Sequence, residues 1–307
     1  MPKVILTDKL NEKVIEMLEE AGFEVKVAWD LPKDDLSQII GEYDAIIVRS
    51  ATKVRGDLLE KAKNLKVVGR AGVGLDNIDL ETTMARGIKV VNTPAATTNS
   101  VAELALTMIL ASTRDVVKGT CEIKAHPESF GTVKKVLFSR EIDGKTLGLI
   151  GTGRIGTSLA VKCKALGMNA IGYDKYVTEN PVVEMKSSID DVLAEADFIS
   201  LHLPFNNETK HMINAEILGK MKKGVVVINC ARGGIVDEMA AHEALESGQL
   251  GYYCTDVFEK EPPEKDNPLL HHENVIISPH IGAQTAEGNF RASVQAAERV
   301  IEAFKEL

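Results

Sequence analysis

The chain has 307 residues, enough for two domains, and its hydrophobic content of 44% is ordinary for a globular protein. The formal net charge of −9 argues against nucleic acid or an anionic membrane surface as a partner. The sequence also lacks a long apolar run, a signal peptide and a CxxC pair. We therefore expect a cytoplasmic protein whose cysteines are buried, inert thiols.

Strands and helices alternate over residues 1–91. Short apolar runs predict the strands, and apolar residues at helical spacing predict the helices between them. The predicted strands are residues 4–7, 23–28, 45–48, 65–68 and 88–91. Such alternation indicates a parallel sheet with helices on both faces.

A long apolar helix follows this first domain. A Pro-containing turn at residues 92–94 ends the alternation, and Ser100 opens a helix with Glu103 placed for a capping box. The helix runs to Thr113 and is apolar on nearly all sides, so we expect it to be buried and to lead into a second domain. For residues 121–142 we predict an irregular surface connection.

The next stretch predicts a nucleotide site. A buried strand at residues 147–150 leads into Gly151, Gly153 and Gly156, which have G-x-G-x-x-G spacing, and a helix follows at residues 158–166. The first glycine permits a tight turn, the second lets the backbone approach a pyrophosphate, and the third lets helix and strand pack closely. The N-terminus of the helix offers N–H groups to the phosphates.

Asp174 indicates which dinucleotide binds. It ends the next predicted strand, residues 170–173. A carboxylate at this place can accept hydrogen bonds from both ribose hydroxyls, and it repels a 2′-phosphate. We therefore predict NAD as the cofactor, in preference to NADP.

The alternation then continues toward the C-terminus. The further predicted strands are residues 198–201, 225–228, 252–257 and 275–277. The last helix, residues 286–307, has an apolar stripe and is expected to return to the first domain. We therefore predict an α/β protein with two doubly wound parallel-sheet domains. A Rossmann NAD-binding domain (98–284) would be inserted in a flavodoxin-like substrate domain (1–97 plus 285–307).

Candidate catalytic residues follow predicted strands, because open α/β sheets bind ligands outside the carboxyl ends of their strands. His280 has the side chain most suited to proton transfer, and Glu261 is a carboxylate able to orient it. Arg232 can hold substrate oxygens with its planar fork. Each has an ordinary alternative: a histidine bonded to a loop carbonyl, a solvated acid, and a capping or surface arginine.

Five motifs in order resemble the D-isomer-specific 2-hydroxyacid dehydrogenase family over nearly the whole chain. They are GRAGVGLDNIDL from Gly69, LGLIGTGRIG from Leu147, INCARGGIVDE from Ile228, TDVFEKEPP from Thr255 and ISPHIGA from Ile277. The resemblance implies an NAD-dependent dehydrogenase acting on the CH–OH group of a D-2-hydroxy acid. It also implies that Arg232, Glu261 and His280 are the catalytic residues.

The resemblance further implies which residues contact cofactor and substrate. The cofactor residues are Val73, Gly151, Gly153, Arg154, Ile155, Gly156, Asp174, Leu203, Pro204, Cys230, Ala231, Asp256, Gly282 and Ala283. Asp256 would hold the carboxamide of the nicotinamide. The substrate residues are Arg49, Ser50, Arg70, Gly72 and Val73.

The substrate is expected to be a phosphorylated 2-hydroxy acid. The stretch VRSATKV from Val48 and the loop from Gly69 most resemble the branch of the family that oxidises D-3-phosphoglycerate to 3-phosphohydroxypyruvate, the first step toward serine. A phosphate would give Arg49 a physical role.

Two other functions stay open. A glyoxylate or hydroxypyruvate reductase of the same family would share the catalytic residues and differ in phosphate recognition. An NAD(H)-sensing binding protein, such as the family's transcriptional corepressors, would also keep them, although the acidic chain favours an enzyme. We expect no metal site, and a homodimer formed through the nucleotide-binding domain with the helix from Ser100 as a candidate interface.

Overall fold

A computed structural model describes residues 1–137 and 139–307, with every side chain in them except that of Lys33. The chain forms two compact units. Unit 1 comprises Met1–Thr98 and Ala283–Leu307, and unit 2 comprises Asn99–Gly282. The assignment of substrate binding to one unit and NAD binding to the other stays a prediction at this point.

The elements have the following bounds. The strands are β1 Lys3–Leu6, β2 Glu24–Val27, β3 Ala45–Val48, β4 Val67–Arg70, β5 Lys89–Asn92, β6 Thr146–Ile150, β7 Asn169–Tyr173, β8 Glu184–Met185, β9 Phe198–Leu201, β10 Val225–Asn229, β11 Leu250–Thr255 and β12 Val275–Ile277. The α-helices are α1 Lys13–Glu20, α2 Lys33–Ile39, α3 Asp57–Lys61, α4 Leu80–Ala85, α5 Thr98–Thr113, α6 Val116–Ala125, α7 Phe130–Val136, α8 Arg154–Ala165, α9 Ile189–Glu195, α10 Ala215–Lys220, α11 Glu238–Glu246 and α12 Ala286–Lys305. Short 3₁₀ helices lie at Ile40–Glu42, Pro127–Ser129 and Pro268–Leu270.

Unit 1 is built on a parallel sheet with the strand order β2-β1-β3-β4-β5. The order reverses between β1 and β3, as in flavodoxin-like sheets. In β3, Ala45 and Ile47 belong to one buried cluster, and Ile46 and Val48 to another, because successive side chains of a strand point to opposite faces. The sheet is therefore covered on both sides.

Helix α12 closes one face of this sheet. It packs against α1, β4 and β5, and its buried residues join the cluster that contains Ile47. Gly69 in β4 permits this close approach, because a Cβ there would lie 2.6 Å from Cγ2 of Val300. Both segments of unit 1 thus share one core.

Unit 2 has a parallel sheet with the order β12-β11-β10-β9-β6-β7-β8. The order reverses between β6 and β9, which is the Rossmann arrangement. Two buried clusters cover its faces, and α5 contributes residues such as Ala105 and Ile109 to one of them. The predicted fold class, two doubly wound parallel-sheet domains, is confirmed.

Several predictions of local structure were wrong. Ser100 does not open α5 as its N-cap, because the helix begins at Thr98 and contains Ser100. Cys121 is exposed, whereas the cysteines were expected to be buried.

The other differences concern the bounds of elements. Residues 121–142 are not irregular, since α6 and α7 occupy much of the stretch; Phe138, which the prediction included, lies outside the described residues. Helix α8 begins at Arg154 rather than at residue 158, because Gly153 is its N-cap. The short strand β8 was not predicted. Among the described residues, no helix is long and apolar enough to cross a membrane.

Candidate active site

The loop between β6 and α8 needs glycine at two positions and leaves open space at a third. Gly151 has φ +95°, and a Cβ there would lie 2.4 Å from the carbonyl oxygen of His202. A Cβ on Gly156 would lie 2.4 Å from the carbonyl oxygen of Gly151. A Cβ on Gly153 would meet nothing within 4 Å. A ligand can therefore approach the backbone at Gly153.

Helix α8 starts at this loop with Arg154 and Ile155. Gly153 is the N-cap, and no side chain of a described residue caps the helix. The N–H groups of the first turn, together with the positive end of the helix dipole, are therefore available to an anion. This donor set fits the pyrophosphate of a dinucleotide.

Asp174 lies beside the same loop at the end of β7. Its Oδ2 accepts the N–H of Thr152 at 2.8 Å, and its Oδ1 accepts those of Tyr176 at 2.8 Å and Val177 at 3.1 Å. Thr152 stands between the first two glycines, so these bonds fix the carboxylate next to the loop. This is the position expected of an acid that binds a ribose.

The residues after β9 pack against the glycine loop between β6 and α8. The carbonyl of His202 is the group nearest Gly151, and the ring nitrogen Nε2 lies 3.0 Å from Oγ of Ser200. Burial lowers the pKa of His202 to about 4, so the ring is neutral at pH 7. The predicted cofactor residues Leu203 and Pro204 follow, and the Leu203 side chain reaches to 3.3 Å from a Cβ placed on Gly151.

The turn after β10 is organised by Asn229. Its Oδ1 accepts the N–H of Ala231 at 3.1 Å, and its Nδ2 donates to the carbonyl of Arg232 at 3.0 Å. Nη1 of Arg232 donates to the carbonyl of Ala231 at 2.7 Å. Cys230 is buried, and burial raises the pKa of its thiol well above the usual value. The thiolate, which is the reactive form of cysteine, is therefore disfavoured at this position.

His280 and Glu261 are brought together. Nδ1 of His280 lies 2.7 Å from Oε2 of Glu261, and the two side chains are 50% and 40% exposed. The second carboxylate oxygen of Glu261 accepts the N–H of Phe258 at 3.2 Å. His280 has φ +53°, a left-handed conformation that is uncommon outside glycine and that occurs at functional sites. The pair leaves Nε2 as the nitrogen able to exchange a proton.

Asp256 holds the backbone that carries His280. Its Oδ1 accepts the N–H of Ile281 at 2.8 Å and the hydroxyl of Ser278, and its Oδ2 accepts the N–H of Gly282 at 2.8 Å. Its own carbonyl accepts the N–H of His280 at 2.9 Å. These contacts give Asp256 a structural task at the site, and its contact with the nicotinamide stays a prediction.

The candidate substrate residues lie in unit 1. Arg49 and Ser50 follow β3, and Asp8, after β1, accepts the N–H of Arg49 at 2.6 Å. Burial lowers the pKa of the Arg49 guanidinium, and the charge of Asp8 opposes that shift. A guanidinium removed from water in this way is stabilised by an anionic ligand.

Gly72 makes room for Arg70. A Cβ on Gly72 would lie 1.6 Å from Nη1 of Arg70, so the guanidinium lies across the backbone of this loop. The neighbouring Val73 is 37% exposed. Val73 and Ala283, which were predicted to contact the cofactor, belong to unit 1, whereas the other predicted cofactor residues belong to unit 2.

Sequence reasoning missed three residues that support these loops, namely Asp8, Asn229 and Ser278. Each is a polar residue at or just after the end of a strand. The rule that ligands bind outside the carboxyl ends of the strands, which selected Arg232 and His280, therefore applies to these three residues as well. What the sequence does not show is which backbone donors they bind.

Comparisons with known proteins identify the second unit. Residues 106–282, more than half of the chain, match the model of the D-isomer specific 2-hydroxyacid dehydrogenase, NAD binding domain. These residues include the glycine loop, Asp174 and the pair of Glu261 and His280.

Two curated relatives resemble the chain over nearly its whole length. A D-3-phosphoglycerate dehydrogenase of Methanocaldococcus jannaschii is 46% identical over 98% of this chain, which spans 57% of that protein. A hydroxypyruvate reductase of Thermotoga maritima is 43% identical over 99% of this chain and 98% of that protein. Among solved structures, a 3-phosphoglycerate dehydrogenase of Entamoeba histolytica with bound NAD⁺ is 29% identical, with a TM-score of 0.82, over 99% of this chain and 95% of that one.

Proposed function

Because the chain belongs to the D-isomer specific 2-hydroxyacid dehydrogenase family, we propose that it is an NAD-dependent enzyme that oxidises D-3-phosphoglycerate to 3-phosphohydroxypyruvate. The observation that carries the proposal is the 2.7 Å pair of His280 and Glu261 at the strand-end edge that also holds the glycine loop. The relative from Methanocaldococcus jannaschii supports the choice of substrate.

In the proposed reaction, each of the three catalytic residues of unit 2 has a separate role. Bound NAD supplies the acceptor for the hydride that leaves C2 of the hydroxy acid. His280 takes the proton of the C2 hydroxyl on Nε2, since Nδ1 is engaged by Glu261. Glu261 stabilises the imidazolium that forms, and Arg232 binds the substrate carboxylate. The C2–H and O–H bonds break, and the C2–O bond becomes a carbonyl.

Arg49 supports a phosphorylated substrate. It follows β3 in unit 1 and carries a guanidinium that burial has partly desolvated. A phosphate offers such a group charge-assisted, bidentate hydrogen bonds. Arg70, across the backbone at Gly72, supplies a second cation in the same unit.

A reductase acting on hydroxypyruvate or glyoxylate is the second candidate. The observation that favours it is the hydroxypyruvate reductase of Thermotoga maritima, which matches this chain over nearly the full length of both. The two candidates share the chemistry at His280 and differ in whether Arg49 meets a phosphate.

A comparison of three keto acids tests the proposal. The purified protein is assayed with NADH and 3-phosphohydroxypyruvate, hydroxypyruvate or glyoxylate, and the loss of NADH absorbance is followed. We expect kcat/KM to favour the phosphorylated acid by about 10-fold or more, the value of one or two charge-assisted hydrogen bonds. A preference for an unphosphorylated acid would establish the reductase. NADH binding without any turnover would favour a sensing role.

We also propose a homodimer formed through unit 2. Helices α6 and α7 have no buried residue, and Val116, Phe130 and Val136 are 57%, 65% and 68% exposed. The same helices line a cavity of about 630 Å³. An apolar surface of this kind favours covering by a protein partner. By contrast α5, the candidate interface expected from the sequence, is largely buried within unit 2.

A further inference from the structure

Asp8 lies at the point of unit 1 where ligands of such sheets bind. The strand order reverses between β1 and β3, and Asp8 and Arg49 follow these two strands. Leu6 is paired with Ile47. The N–H of Thr7, the residue after β1, donates to the carbonyl of Ile47 at 3.2 Å. The chain therefore leaves both strands side by side, at the crevice that a reversal of strand order creates.

The carboxylate of Asp8 accepts hydrogen bonds from three residues of the segment 49–52. Asp8 is 6% exposed, and its Oδ2 accepts the N–H of Arg49 at 2.6 Å and that of Ala51 at 3.1 Å. Its Oδ1 accepts the N–H of Thr52 at 3.1 Å and the Thr52 hydroxyl at 2.5 Å. One buried carboxylate thus determines how the backbone turns as it leaves β3.

Asn77 fixes the same segment from its acceptor side. Asn77 is 8% exposed, and its Nδ2 donates to the carbonyl of Arg49 at 2.9 Å and to that of Thr52 at 2.7 Å. The N–H groups of Arg49, Ala51 and Thr52 therefore bond to Asp8, and Asn77 bonds to two carbonyls of the same segment. The backbone beneath Arg49 is held from two sides, so the start of its side chain has one orientation.

We propose that Asp8 is a positioning residue that holds residues 49–52 so that Arg49 meets the anionic end of the substrate. The inference rests on the proposed function, in which Arg49 binds the phosphate. Asp8 does not itself touch the substrate, because backbone and hydroxyl donors occupy its oxygens. Its charge also favours the protonated guanidinium of Arg49.

A double-mutant cycle tests whether Asp8 acts through Arg49. The parent, Asp8→Asn, Arg49→Ala and the double variant are compared for KM and kcat with 3-phosphohydroxypyruvate and NADH. We expect Asp8→Asn to raise KM about 10-fold with kcat changed by less than about 2-fold, and the double variant to match Arg49→Ala, since coupled residues are non-additive. Additive effects on KM, or an unchanged KM in Asp8→Asn, would overturn the inference.

A second carboxylate of the same sheet serves as the control for stability. Asp44 precedes β3 at the opposite edge, where it accepts the N–H of Lys3 and the Nζ–H of Lys66, each at 2.9 Å. Asp44→Asn is expected to lower the melting temperature and leave KM unchanged. If KM rises equally in Asp44→Asn and Asp8→Asn, the effect is general loosening and the inference is wrong.

Thr52→Val is a second variant that tests the same inference if Asp8→Asn does not fold. It removes one charge-assisted bond to Asp8 and leaves the other bonds and the charge in place, so KM is expected to rise about 3-fold, less than in Asp8→Asn. An unchanged KM would count against the inference. If the parent prefers hydroxypyruvate, the proposed function has failed, and the cycle is run with that acid. Non-additivity there supports the positioning role of Asp8, and additivity refutes it.

Discussion

Two histidines at the strand-end edge of unit 2 differ in what surrounds them. His280 follows β12, is half exposed, and has a carboxylate on Nδ1. His202 follows β9, is packed under the glycine loop beside Ser200, and its pKa is lowered to about 4 by burial. Only the first has both a charged partner and access for a proton. We therefore propose proton transfer for His280 and a packing role for His202.

His280→Gln removes the proposed acid–base group and keeps a side chain of similar size. Loss of a positioned acid–base group typically costs about 10²–10⁴ in rate, so kcat is expected to fall about 10³-fold. The dissociation constant of NADH, followed by its fluorescence, is expected to change little. His271→Gln is the control, because that ring lies in an exposed loop and bonds the carbonyl of Lys265. If kcat is preserved in His280→Gln, His280 is not the acid–base group of the reaction.

The pKa of His202 predicts how stability depends on pH. Its pKa is about 4 in the folded protein, below the 6.5 of a free histidine. The unfolded state therefore binds the proton more readily, and stability is lost as the pH falls from about 6.5 toward 4. His202→Asn removes this loss. From pH 7 to 4.5, the parent is expected to lose on the order of 2 kcal/mol more than the variant, measured by denaturant titration at both pH values. Equal losses would show that the buried ring has no such effect.

The residues of the site differ in how far the sequence could reveal them. His280, Glu261 and Arg232 stand after predicted strands and have side chains whose chemistry is distinctive, so position and residue type were enough to select them. The bonds between Asp8 and residues 49–52 depend on the pairing of β1 with β3, residues 41 to 44 positions apart. A periodic pattern along one strand carries no information about that pairing.

At the scale of elements, the alternation of strands and helices was sufficient to predict both parallel sheets. The strands Ala45–Val48, Phe198–Leu201 and Val275–Ile277 have the predicted bounds. The failure at α6 and α7 has a physical cause, because Pro127 and Gly131 interrupt the stretch and neither helix buries a residue that would mark an inner face. The start of α8 was missed because Gly156 lies inside its first turn, where glycine is read as a break.

The glycine at that turn yields a prediction for α8. A Cβ on Gly156 would lie 2.4 Å from the carbonyl oxygen of Gly151, and a backbone atom cannot move away cheaply. Gly156→Ala is expected to push α8 from the loop, weaken NADH binding by about 10-fold or more, and cost about 1–3 kcal/mol of stability, as overpacking does. Fluorescence titration and denaturant unfolding measure the two effects.

Gly219→Ala provides the matched control for that substitution. Gly219 lies within α10, and a Cβ there would meet nothing within 4 Å. Alanine in a helix interior is favoured over glycine by about 1 kcal/mol, so this variant is expected to be as stable as the parent or more so. NADH binding at parental strength in Gly156→Ala would show that α8 tolerates the extra carbon.

At the scale of the whole molecule, the chain leaves unit 1 at Thr98 and returns to it at Ala283. The returning helix α12 contributes Ala292, Ala296, Ala297, Val300 and Ala303 to the core of unit 1. Unit 2 is a continuous segment with its own sheet and buried clusters. A homodimer formed through unit 2 therefore leaves the core of unit 1 unchanged, and the two proposals for unit 2, cofactor binding and self-association, can be tested by separate substitutions.

Phe130→Asp tests the proposed dimer surface. Phe130 belongs to α7 and is 65% exposed, so a charge there costs the fold little but opposes the burial of this surface against a second copy. We expect the parent to sediment as a dimer at micromolar concentrations and Phe130→Asp as a monomer with an unchanged circular dichroism spectrum. Phe290→Asp is the control, because Phe290 is 47% exposed on α12 in unit 1 and should leave the dimer intact. A monomeric parent would refute the dimer, whereas a dimeric Phe130→Asp would place the interface on another part of unit 2.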